Sequence, residues 1–150
     1  MRSLPLKALV SGSIGSLLST LALVGCGWRE LDDPYAPLNG PSQWLFGRQA
    51  ALKSGASVKH TLPGYLIHHA MSVFWAFLFE RIRPRSDEVA SALLPAATTS
   101  AIACFVDYQL TPPRLRPGFE RRLSRKSLAV VYVAFAIGLA AGAALQGRQR

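Results

Sequence analysis

The sequence predicts an all-α fold, a four-helix transmembrane bundle with a short interfacial helix in its first loop. Two observations carry this. Four stretches hold no Lys, Arg, Asp or Glu: Ala8–Trp28, Thr61–Phe79, Val89–Val106 and Ser127–Gly147, each 18 to 21 residues long. The 17 Lys/Arg and 8 Asp/Glu of the 150-residue chain all lie between or outside them. A hydrocarbon layer of roughly 30 Å is crossed by about 20 helical residues. Backbone groups inside it must pair within their own segment, so helix is the conformation such segments take. The hydrophobic share of 50% is ordinary for a soluble protein, so segregation of charge, and not bulk composition, decides the class. One integral membrane domain over residues 1–150 is expected, with spans at about 8–28, 61–79, 89–110 and 127–147.

The first span is rich in small residues, Ser11, Gly12, Ser13, Gly15, Ser16, Ser19 and Thr20, as close helix packing in lipid requires. A second reading exists for it. Arg2 and Lys7 precede an apolar run that ends Leu23-Val24-Gly25-Cys26, which resembles a lipoprotein cleavage box with Cys26 as the lipidated residue. The first loop carries turn chemistry at Asp32-Asp33-Pro34 and Leu38-Asn39-Gly40-Pro41. Ser42 is then placed to cap a helix over about 43–54, ended near Gly55, with Trp44 at headgroup depth. That helix lies on the bilayer or plugs the bundle. A tight connection, Glu80 to Arg85, makes spans two and three antiparallel neighbours, and Pro95 sits inside span three. In the third loop Phe119 and Leu123 share a face among Arg121, Arg122, Arg125 and Lys126, a basic turn suited to anionic lipid headgroups. Gly138 and Gly142, with Ala134, form a small-residue stripe on span four that favours close helix packing, within the chain or with a second copy or a membrane partner.

The net charge of +9 comes with no zinc spacing, recognition helix or stacking platform, so it points to lipid headgroups and not to nucleic acid. Loops one and three hold ten Lys/Arg, and the termini with loop two hold seven. The positive-inside rule thus leans toward loops one and three being cytoplasmic and both termini periplasmic. Two cysteines, Cys26 and Cys104, make no disulfide framework.

Ionisable groups inside spans are costly and are the natural functional candidates. His68 and His69 near the start of span two, Asp107 at the end of span three and Tyr132 near the start of span four all fall toward loops one and three. Ser72 shares the face of His68, and Cys104 that of Asp107. A polar layer of His68, His69, Ser72, Cys104, Asp107 and Tyr132 suits a hydrogen-bonded lock on helix register, a proton relay, or a metal site. Adjacent histidines point about 100° apart on a helix, which argues against both holding one ion. No metal, cofactor or catalytic residue is assigned. Glu80 lies eleven residues beyond His69 and is expected at the opposite surface, paired near water with Arg81, Arg83 or Arg85.

The stretches Asn39–Gly47, His60–His69, Phe74–Ala76, Phe105–Ser124 and Val130–Gly142 (NGPSQWLFG, HTLPGYLIHH, FWA, FVDYQLTPPRLRPGFERRLS, VVYVAFAIGLAAG) together resemble a family of small proteobacterial-type, multi-span inner-membrane proteins. The resemblance implies an inner-membrane location and no activity. It often carries a histidine where Gln43 stands here. The expected role is structural, through lipid or partner contacts, with proton or ion handling by the His/Asp layer as the alternative.

Overall fold

The structure, a computed structural model, describes residues 3–86 and 88–147. Arg2, Arg148 and Arg150, which enter the charge count of the termini, lie outside them. The described chain is helical, without strands. It runs α1 (Leu4–Leu31), α2 (Ala36–Asn39), a 3-10 turn (Gly40–Ser42), α3 (Gln43–Phe46), a second 3-10 turn (Arg48–Leu52), α4 (Thr61–Ile82) and α5 (Val89–Phe105). A π turn (Val106–Leu110) extends α5, two 3-10 turns follow (Pro113–Leu115, Phe119–Arg121), and α6 is Arg125–Gly147. Among the described residues four helices are long and apolar enough to cross a membrane: α1, α4, α5 with its π turn, and α6. Each extends past the uncharged stretch that predicted it, because Lys7, Arg29, Arg81, Asp107 and Arg125 are helical at the ends.

The first loop departs from expectation. In place of one helix over 43–54 there are two short pieces, broken at Gly47, whose φ of 82° ends α3 after one turn. Ser42 does not cap it; it sits buried in the preceding turn, and its hydroxyl donates to the Asn39 carbonyl at 2.7 Å.

The chain forms two compact units. The first takes the described residues of 1–19, 69–104 and 132–150. Its core is mostly alanine, with Phe79, Phe135 and Leu139 filling the gaps. Small residues bring the backbones close: a Cβ on Gly142 would lie 2.6 Å from the Ser11 Cα, one on Gly138 2.6 Å from the Gly15 Cα, and one on Gly12 2.5 Å from the Val73 Cα. The predicted stripe of α6 is thus occupied by α1 of the same chain. This unit is also apolar outward: Ser11, Ser16, Thr99 and Ser100 are buried, while Phe74, Leu94 and Ile137 are 54–75% exposed. Water would reverse that preference; lipid does not.

The second unit comprises residues 20–68 and 105–131. Leu23, Cys26, Leu38, Phe119, Leu123 and Val131 form its core. Phe119 and Leu123 therefore face protein, and the apolar side of the basic turn is not available to lipid. α1 runs unbroken through Gly25–Cys26, and the Cys26 thiol is buried in this core.

Candidate functional site

The six residues of the expected polar layer are divided between the two units. His69, Ser72, Cys104 and Tyr132 belong to the first, His68 and Asp107 to the second. Each of the six engages a partner. The His68 ring meets Phe119 edge-on at 6.2 Å. Ser72 is buried, and the Tyr132 carbonyl accepts the Ser100 hydroxyl at 2.6 Å. Asp107 and Tyr108 ride on the π turn, a wide turn that is frequent at functional positions and that no periodicity in the sequence announces. Among the described residues no three His, Cys, Asp or Glu groups converge to hold a metal ion.

Two other polar assemblies stand out. In the first unit, Glu80 is buried, contrary to its expected place near water. Its partner is indeed Arg83, whose Nε donates to Oε2 at 2.7 Å, but the two side chains are only 1% and 8% exposed. Glu80 Oε1 accepts the Ser11 hydroxyl and Gln146 Nε2, the latter at 3.1 Å. The carboxylate therefore joins α1, α4 and α6. The arginine neighbours are close in sequence; Gln146, the one amide in the charge-free stretch Ser127–Gly147, is the signal for a distant partner.

The second assembly knits loop one to loop three within the second unit. Asn39 is its hub. Its side-chain amide donates to the carbonyls of Lys53 (2.9 Å) and Gly55 (3.0 Å), and its oxygen accepts the Thr61 hydroxyl at 2.7 Å. The Asp33 carboxylate accepts the backbone N–H of Tyr35, Ala36 and Gly55 at 2.7–3.1 Å, tying the start of the loop to its end. Gln43, fully buried, donates to Arg116 O at 2.8 Å and Pro113 O at 3.3 Å, and Trp44 Nε1 donates to Arg116 O. Two hydrogens on one nitrogen let Gln43 reach two carbonyls, which a histidine nitrogen cannot do. Arg122 donates to Leu52 O (2.8 Å) and Ser54 Oγ (3.2 Å), and Arg121 to Arg48 O. Their guanidinium groups are thus committed to loop-one carbonyls, while Arg125 and Lys126 stay exposed. Glycines permit the contact: a Cβ on Gly118, where φ is +87°, would fall 2.3 Å from Gly40 O, and one on Gly64 2.0 Å from Leu38 O.

Comparison with protein-family models, with curated proteins and with solved structures finds no match.

Titration follows from these contacts. Burial acts to raise the Asp33 carboxyl, but the bonds from Gly55, Tyr35 and Ala36, with the Arg122 charge, hold it below its ordinary value. Burial pushes Glu120 up, against its own and the Gly118 backbone N–H and the charges of Arg116 and Arg121. His60 is lowered by desolvation, then by Lys59 and Lys53, so the neutral ring is favoured; its Nδ1 lies 3.3 Å from Ser42 Oγ. Ser42 is fully buried, so this pair is no accessible nucleophile.

Proposed function

We propose that the chain is a multi-pass protein of the bacterial inner membrane with a non-catalytic role, in which the loop-one and loop-three assembly presents a rigid basic surface to anionic lipid headgroups. One observation carries the reading. In the second unit eight Lys/Arg are exposed against two exposed carboxylates, Glu30 and Asp32. Juxtamembrane cations each contribute about 1 kcal/mol of attraction to an anionic leaflet. The positive-inside rule then assigns this surface to the cytoplasm and both termini to the periplasm. The stretches that resemble the inner-membrane family include much of this assembly.

Reconstitution into vesicles with spin-labelled lipids tests the reading. Phosphatidylglycerol is expected to be enriched at the protein over phosphatidylcholine, and Arg125→Ala with Lys126→Ala to weaken that preference by about 2 kcal/mol at low salt. Equal association of the two lipids contradicts it. The alternative, proton or ion handling through His68, His69 and Asp107, draws support from the π turn that carries Asp107. Vesicle flux that changes in His68→Ala with His69→Ala, at an unchanged folded fraction, would favour it.

A further inference from the structure

One nitrogen in the first unit sits among more oxygens than it can serve. Gln146 Nε2 has Ser11 Oγ at 2.8 Å, Glu80 Oε1 at 3.1 Å, Gly142 O at 3.2 Å and Lys7 O at 3.3 Å. Its two hydrogens satisfy two of the four at a time. Rotating the amide by half a turn would set its oxygen against a carboxylate and two carbonyls, so the orientation is fixed by chemistry. The Gln146 oxygen is then left with no hydrogen-bond partner, in a side chain 5% exposed. A buried acceptor without a donor costs about 1–3 kcal/mol. The cluster as a whole holds a surplus of lone pairs.

The local field has the same sign. Glu80 lies in the last turn of α4 and Gln146 in the last turn of α6. The carbonyl ends of both helices add partial negative charge to that of the carboxylate. Among the described residues Arg83 is the cation bonded into the cluster, its Nε donating to Glu80 Oε2.

We infer that Lys7 O, Ser11 Oγ, Glu80, Gly142 O and the Gln146 oxygen form a binding site for a small monovalent cation, and that Arg83 is a tethered competitor for it. This goes beyond the proposed lipid-facing role and does not depend on it. One carboxylate among neutral carbonyl, hydroxyl and amide oxygens matches a single positive charge; calcium takes six to eight oxygens, commonly with several carboxylates. Charge stays balanced if the ion enters as Arg83 leaves, so no uncompensated charge is buried. Arg83 follows the last residue of α4 and stands between the exposed Arg81 and Arg85, so its side chain, 8% exposed when bonded to Glu80, is able to swing out to water without breaking the helix. A cation among these oxygens removes the repulsion that fixes the Gln146 amide, which then turns its oxygen toward the ion.

The test is thermal unfolding of the full chain in uncharged detergent, followed by tryptophan fluorescence, in lithium, sodium, potassium or choline chloride at equal ionic strength. A small alkali cation is expected to raise Tm saturably where choline does not. Arg83→Gln should reach half of that rise at about tenfold lower salt, because the competitor is gone. Glu80→Gln should abolish the cation-specific part. Equal shifts by all four salts in wild type and Arg83→Gln overturn the inference, since they report screening of a purely structural ion pair. If Arg83→Gln does not fold, equilibrium binding of radioactive sodium, potassium (rubidium as tracer) and lithium (by mass analysis) to wild type decides. Saturable binding that choline does not displace supports the site; no saturable binding of any of them overturns it.

Discussion

The two units hold themselves together by different means. The first joins long helices through backbone approach: Gly12, Gly138 and Gly142 remove the side chains that would keep the helices apart, and one buried carboxylate pins α1, α4 and α6 at a single point. The second contains short, irregular turns held by hydrogen bonds to backbone carbonyls, supplied by Asn39, Gln43 and Arg122. In the first, one carboxylate ties three helices together and is costly to lose. In the second, several side chains bond loop carbonyls and share the work. Hydrocarbon offers no substitute partner for a broken bond; water at a surface does.

That contrast sets the order of expected effects. Glu80→Ala takes the shared acceptor from Ser11, Gln146 and Arg83 at once and should cost about 3–5 kcal/mol, read as a lower midpoint of detergent-denaturant unfolding. Gly64→Ala drives a methyl into the Leu38 carbonyl and should cost about 3 kcal/mol, whereas Gly25→Ala meets nothing within 4 Å and should stabilise α1 by a few tenths to about 1 kcal/mol. Asn39→Ala removes three bonds at once and should cost about 2 kcal/mol, with hydrogen exchange rising in loop one more than in α4. Were Asn39→Ala to cost more than Glu80→Ala, the proposed division between the units would fail.

Smaller effects depend on pH. The stability that Asp33 contributes is present above the ordinary aspartate value and is lost as pH falls through its depressed folded value. Asp33→Asn should therefore flatten the acid limb of a plot of Tm against pH. Glu120 acts in the opposite sense: its pKa is raised, so its contribution is present below the ordinary glutamate value and is lost as pH rises through the folded one. Glu120→Gln should then raise Tm slightly at neutral pH and leave it unchanged in acid.

The long helices were legible because lipid imposes a rule on every residue of a span, and the charge-free stretches record it. Pro95 was readable too, as a proline tolerated inside α5. Loop one was not. Asn39 and Gly40 read as a turn, but that turn is set by Gly55, Thr61 and Phe119, far along the chain, and no local pattern encodes them. The helix drawn over 43–54 failed at Gly47, a residue whose positive φ is a visible option for glycine in any sequence. Glu80 was misplaced for a related reason. Its pairing with Arg83 was readable from the sequence, but burial depends on Ser11 and Gln146, 69 and 66 residues away. The histidine and aspartate layer was assembled from helix levels, and each of its six members engages a partner.

Hydrocarbon around α1, α4, α5 and α6 is the condition on which all of these effects depend. Alkaline carbonate extraction followed by sedimentation addresses this directly. The polypeptide should stay with the lipid pellet and become monodisperse only after surfactant is added. A monodisperse particle in surfactant-free buffer would contradict it, for then Phe74, Leu94 and Ile137 would face water without penalty.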